Sequence, residues 1–152
     1  MEIKQMQTQD IPAVCALARE VFDQVLASTY TEEGRQTFYA FIEESAMQAR
    51  LSDGGFGLVA FLDGTLVSLI EIGRNSHICL LFTKCEHQGK GFAKALVEQA
   101  VSLCKKRDSS VAAISVNAAL SAVEAYQHFG FKQCAPEQER DGIRFVPMMR
   151  LL

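Results

Sequence analysis

Residues 80–100, LLFTKCEHQGKGFAKALVEQA, run from an apolar strand pattern through Gln88, Gly89, Lys90 and Gly91 into an amphipathic helix pattern. Glycines at such a junction permit a tight turn, and the first turn of the helix leaves backbone N–H groups unpaired. Those donors, the positive end of the helix dipole and the charges of Lys90 and Lys94 suit a bound anion, phosphate above all. Two familiar phosphate loops do not fit. A P-loop needs four residues between its first glycine and a Gly-Lys-Ser/Thr, which no stretch here supplies. A dinucleotide fingerprint needs a third glycine where Lys94 stands, and it follows the first strand of its fold rather than the fourth. Taken alone, the Gly-x-Gly is a tight strand-to-helix turn.

His77, Cys79, Cys85 and His87 are the other residues of ligating type nearby, but their spacing matches no common zinc pattern, and no metal is expected. The five cysteines are odd in number and irregularly spaced, and the N-terminal stretch MEIKQMQTQDIPAV lacks a basic start and apolar run. Free thiols and a cytoplasmic location are therefore expected. The formal net charge of −3 and pI near 5.6 argue against nucleic acid as a partner. No apolar run is long enough to span a bilayer, so no membrane partner is expected.

The elements that must position the glycine loop are readable from periodicity. EIKQMQ alternates as a first strand, and Ile11, Val14, Cys15, Ala18, Val21, Phe22, Val25 and Leu26 recur at helical spacing. ASTYTEEGRQ reads as a loop or broken helix, followed by a second helix through Phe38, Phe41, Ile42 and Ala46 to about Leu51. Two apolar runs around Asp63-Gly64 form a hairpin. SHICLLFT is a strand, a helix runs from about Gly89 to Arg107, VAAISV is a strand, LSAVEAYQHF a helix and GFKQC a strand. A polar turn, APEQERDG, precedes the last strand, IRFVPMMRLL. The order β-α-α-β-β-β-α-β-α-β-β describes one α/β domain over residues 1–152, with a mixed central sheet of about seven strands and flanking helices.

The segment QGKGFA also fits the pattern Gln/Arg-x-x-Gly-x-Gly/Ala, as Gln88, Gly91 and Ala93. At this point the chain resembles the GNAT superfamily of acetyl-CoA-dependent N-acetyltransferases. SVNAALSAVEAYQHFGF is similar to that family's second cofactor motif, with Asn117, Tyr126 and Gly130-Phe131 in place. The element order matches as well, so the resemblance covers nearly the whole chain. There are departures: Cys85 stands where many members have proline, Thr83 where valine is usual, and Ala93 in place of a final glycine.

The resemblance implies an N-acetyltransferase with acetyl-CoA as co-substrate and a primary amine of a small molecule, amino acid or peptide as acceptor. It places the CoA pyrophosphate on Gln88, Gly89, Lys90, Gly91, Phe92, Ala93 and Lys94. It assigns the backbone N–H of Leu81 to the thioester oxygen and the backbone of Phe82 and Thr83 to the pantetheine arm, as if the cofactor were an added strand. Asn117 would bond the pantetheine amides or cap the following helix, and Tyr126 would protonate the leaving thiolate. For the base, His77 lies eleven residues before Gln88, where members acting on histone lysines carry a strand glutamate. Glu71, within an apolar run, is the rival. A non-catalytic acyl-CoA-binding module is the alternative reading.

By the same resemblance the acceptor groove forms from residues 27–35 and 136–142. Both segments carry acids (Glu32, Glu33, Glu137, Glu139 and Asp141), a pattern that favours a cationic amine. The apolar C-terminal segment reads as a strand near a sheet edge, hence a candidate homodimer surface.

Overall fold

The structure, a computed structural model, describes residues 1–152. Strand β1 (Glu2–Gln5) leads into helix α1 (Ile11–Val25), which starts with a proline in its first turn and buries Val14, Ala18, Val21 and Phe22 along one face. Two helices follow where the sequence reads one. Helix α2 (Glu32–Phe41) begins inside the stretch read as loop or broken helix, because Thr31 caps it: its Oγ1 accepts from the Gly34 N–H at 3.1 Å. Glu32 and Glu33 then occupy the first turn, where the helix dipole favours acids, so the polar composition that looks loop-like is a helix start. Helix α3 (Glu44–Ser52) is separate, its axis broken at residues 42–43.

Strands β2 (Phe56–Leu62) and β3 (Thr65–Ile72) meet at Asp63 and Gly64, both at positive φ as a tight hairpin requires. Strand β4 (His77–Thr83) feeds the glycine loop and helix α4 (Phe92–Arg107). The helix starts at Phe92 rather than near Gly89, because Gly89 and Gly91 sit at φ 77° and 90° and cannot be its first residues. Strand β5 (Ala113–Ala119), helix α5 (Val123–His128) and the short strand β6 (Lys132–Gln133) follow. The polar turn expected at 135–142 contains a further strand, β7 (Gln138–Arg140), which pairs with β8 (Ile143–Leu151) across an Asp141-Gly142 turn. The sheet therefore has eight strands, one more than the sequence pattern counts.

The order is β1-β2-β3-β4-β5-β8-β6, with β7 also on β8, and only β4 and β5 run parallel. One apolar core packs α4 and α5 on one face of the sheet, and a second packs α1, α2 and α3 on the other. Strand β8 is internal, held by β5 on one side and by β6 and β7 on the other, so the edge-strand argument for a dimer surface does not apply to it. Phe22 of α1 is fully buried, stacked on Phe38 at 4.0 Å between ring centroids and edge-on to Tyr30 at 5.0 Å. That cluster fixes α2 and the residues before it over β4.

A buried ion pair fastens α3 to the sheet. Glu71 of β3 is wholly buried, and Arg50 holds both its oxygens, Nε to Oε2 at 2.7 Å and Nη2 to Oε1 at 2.9 Å. The same guanidinium donates to the Phe41 carbonyl at 2.8 Å and lies 3.7 Å from the Phe41 ring centroid, tying down the end of α2. Removing the acid would strand a cation that is only 20 % exposed. Glu71→Ala is expected to lower unfolding free energy by about 3 kcal/mol, read from urea denaturation.

Candidate functional site

The parallel pairing of β4 with β5 lasts for two residue pairs, His77 with Ser115 and Ile78 with Val116. Past these the strands part. The remainder of β4 pairs only with β3 and the remainder of β5 only with β8, so each leaves one backbone edge without a strand partner. A bulge accompanies the parting. Glu71 opposes Leu80 and Ile72 opposes Ile78, which leaves Cys79 as the extra residue of β4. The bulge flips the side-chain alternation, so Ile78 belongs to the α4–α5 core and Leu80 to the α1–α3 core.

The gap opens into a cavity of about 460 Å³. One wall is β4 from His77 to Phe82, the other Val116 and Asn117 of β5 with Tyr126 of α5. Tyr30, Thr37, Phe38 and Phe41 close one end together with Arg140, Asp141 and Arg144 of the β7–β8 hairpin. The two ends of this rim touch. Thr37 Oγ1 donates to the Asp141 carbonyl at 2.7 Å, and Gly34 lies so close that a Cβ there would strike the Gly142 carbonyl. The two segments expected to form an acceptor groove are thus packed on each other.

Tyr126 is 7 % exposed, its ring edge-on to Phe129 and Phe131, and its hydroxyl bonds no protein group. Burial raises its pKa well above the usual tyrosine value, so the hydroxyl keeps its proton at neutral pH. His77 Nδ1 pairs with Ser115 Oγ at 2.8 Å. Burial, and then the charge of Arg140, push the imidazole below its ordinary value, so it is neutral at pH 7. Cys79 also borders the cavity, but burial pushes its thiol up to about 11, so it stays a thiol. Glu71 does not reach the cavity, its two oxygens being held by Arg50.

The glycine loop leaves the far end of β4. Gly89 and Gly91 both occupy the left-handed region, and a Cβ on either would meet nothing within 4 Å. Their necessity is conformational, and the space before them is open. No side chain caps α4, so the N–H groups at its start, from Phe92 to Lys94, are free to donate outward. The Phe92 side chain is core, and only its backbone belongs to the loop. Lys90 and Lys94 are exposed. Gln88 turns inward, its Nε2 donating to the Thr83 carbonyl at 3.1 Å, and so fastens the loop to the strand. Thr83 spends its hydroxyl on Ser68 at 2.8 Å. Asn117 is exposed at the cavity and makes no helix cap. These features together fit an extended ligand with a diphosphate at one end: a strand edge to pair with, then a ring of uncapped N–H donors flanked by two lysines.

Residues 26–152 match the family model for an acetyltransferase (GNAT) domain. The chain belongs to the GNAT acetyltransferases. Its fold is shared with GNAT structures of low sequence identity. A GCN5-related N-acetyltransferase from Rhodopseudomonas palustris is 22 % identical with a TM-score of 0.84, over 99 % of this chain and 95 % of that one. The PaiA N-acetyltransferase from Thermoplasma acidophilum, solved in complex with coenzyme A, is 21 % identical over the whole of both chains, TM-score 0.77. A ribosomal-protein-alanine N-acetyltransferase from Brucella melitensis, also 21 % identical over both whole chains, has a TM-score of 0.71. Comparison with curated proteins finds no match. No helix of this GNAT chain is long and apolar enough to cross a membrane.

Two features of the site in this GNAT domain escape a sequence reading. Ser115 is an ordinary strand serine until the parallel register sets it against His77. Arg140 lies in a stretch that reads as turn, and only the β7–β8 hairpin brings it to the cavity.

His77 yields a test of the site's electrostatics. Its folded-state pKa is depressed, so the unfolded chain takes up the proton first as pH falls. The stability associated with the neutral ring is complete above the unfolded value near 6.5 and is lost as pH drops through the lower folded value. Urea midpoints at pH 7.5 and at pH 5 are expected to differ more for the natural protein than for His77→Gln.

Proposed function

We propose that this protein moves the acetyl group of acetyl-CoA to a primary amine of a small molecule, amino acid or peptide, by direct attack in a ternary complex. The observation that carries the reading is the parting of β4 from β5 into one cavity that also receives the free Tyr126 hydroxyl, with the glycine loop at the end of β4. The Thermoplasma protein of the same fold, solved with coenzyme A, supports it.

In this reading the N–H groups from Gly89 to Lys94 hold the diphosphate, with Lys90 and Lys94 adding charge and Gly91 admitting the phosphate oxygens without a Cβ in the way. Gln88 keeps the loop in place from behind. The Thr83 N–H, on the edge of β4 that β5 leaves uncovered, the Phe82 cavity wall beside it and the Asn117 side chain bind the pantetheine arm. Bound acetyl-CoA supplies an activated acyl carbon and a thiolate leaving group. The Leu81 N–H donates to the carbonyl oxygen as charge gathers there. His77, neutral and tethered by Ser115, accepts the proton that the amine loses as its C–N bond forms. Tyr126 gives its proton to the sulfur as the C–S bond breaks. We infer that Glu71 serves the fold, since Arg50 holds both its oxygens.

Calorimetric titration with acetyl-CoA is expected to give micromolar binding. Gly91→Glu, which forces a bulky anion onto a left-handed position facing the phosphates, is expected to abolish it. Tyr126→Phe is expected to lower kcat by about 10²–10⁴ while acetyl-CoA still binds. Undiminished turnover in Tyr126→Phe would remove that residue from the chemistry, and absence of acetyl-CoA binding would overturn the whole reading.

A further inference from the structure

The acids expected to draw a cationic acceptor do not furnish the cavity. Glu32 is held by Arg35 at 2.7 Å and by Gln36 at 3.0 Å, and Glu137 is held by Arg144 through Nε at 3.0 Å and Nη2 at 2.5 Å. Of the five acids in those two segments only Asp141 borders the cavity. Arg144 borders it too, with its charge already met by Glu137.

Arg140 is different. It lines the same cavity as His77 and Tyr126, and its guanidinium forms no ion pair and donates no hydrogen bond within the protein. The guanidinium lies 5.3 Å from the centroid of the Phe145 ring. A cation–π approach of that kind steadies the group while leaving its N–H donors available to a planar anion. Its charge reaches the His77 imidazole, where, after burial, it further disfavours the protonated ring.

Resting on the acetyltransferase reading above, we propose that the acceptor amine carries a carboxylate, as an amino acid or the C-terminus of a short peptide does, and that Arg140 holds it. The anion then sits at the hairpin rim, and the amine points inward to His77 and the β4 edge. A simple cationic amine lacks that anchor and would bring its charge toward an unpaired guanidinium.

The test is a panel of amino acids and short peptides, each paired with its decarboxylated or C-terminally amidated counterpart. CoA release is followed with acetyl-CoA as donor, and binding to the CoA-loaded protein is measured alongside. The carboxylated member of at least one pair is expected to be favoured by roughly ten- to a hundredfold in kcat/KM, with the difference lying in KM. In Arg140→Gln that ratio is expected to fall toward one, and in Arg140→Lys to fall part of the way. Equal or reversed preference within every pair overturns the proposal, as does a preference that survives Arg140→Gln. Acetyl-CoA binding with no carboxylated member bound or acetylated overturns it as well, while leaving the cofactor reading in place. Failure of acetyl-CoA to bind would instead remove the reading on which the proposal rests.

Discussion

A sheet strand is stable because its backbone groups are paired on both sides, and the molecule withholds this from two of its central strands. β4 and β5 share two residue pairs and then separate, with the bulge at Cys79 bending β4 where the parting begins. Unpaired N–H and C=O groups in the middle of a sheet are costly unless something else meets them. The surrounding architecture keeps the gap from closing. β3 holds one edge of β4, β8 runs the length of β5, and Tyr126 and Phe131 fill the space beneath the divergence. In the proposed function an extended ligand that offers amide groups would complete the sheet, so the same opening that weakens the fold would serve binding.

The electrostatics around that gap divide into two sets. Arg50 and Glu71 neutralise one another behind the α1–α3 core and hold α3 and the end of α2 against the sheet. The groups that face the cavity are kept in states suited to proton transfer: a tyrosine that burial keeps protonated and a histidine that burial and Arg140 keep neutral. At the glycine loop the polarity is opposite, with uncapped N–H groups and two lysines facing outward. A ligand spanning the two regions is apolar and amide-like at one end and anionic at the other.

Much of this is legible in the sequence, for identifiable reasons. The strand-to-helix turn at the glycine loop is legible because left-handed φ at Gly89 and Gly91 is a demand that only glycine meets without strain, and the demand shows in residue type. The hairpin at Asp63-Gly64 is legible on the same ground. The start of helix α2 is blurred because it is polar, and its Thr31 cap is recognisable only once the helix is known; the break at residues 42–43 that separates it from α3 has no mark in the apolar spacing. β7 is missed because three fully polar residues carry no alternation to detect. The pairing of His77 with Ser115 depends on the register of two strands far apart in sequence, which no local pattern encodes. Glu71 illustrates the reverse difficulty. A lone acid in an apolar strand has the same signature whether it is a base or one half of a buried pair, and only Arg50, arriving from α3, decides between them.

The most direct measurement of the central claim is amide hydrogen exchange with and without acetyl-CoA. If the ligand completes the sheet, exchange slows at two places: the β4 amides of Leu81 and Thr83, which face the gap, and the loop from Gly89 to Lys94. The hydrogen-bonded amides shared by β2 and β3 are expected to stay as they are. Slowing confined to the loop would mean that the gap in the sheet is not where the ligand lies, and no slowing at either place would contradict the account outright.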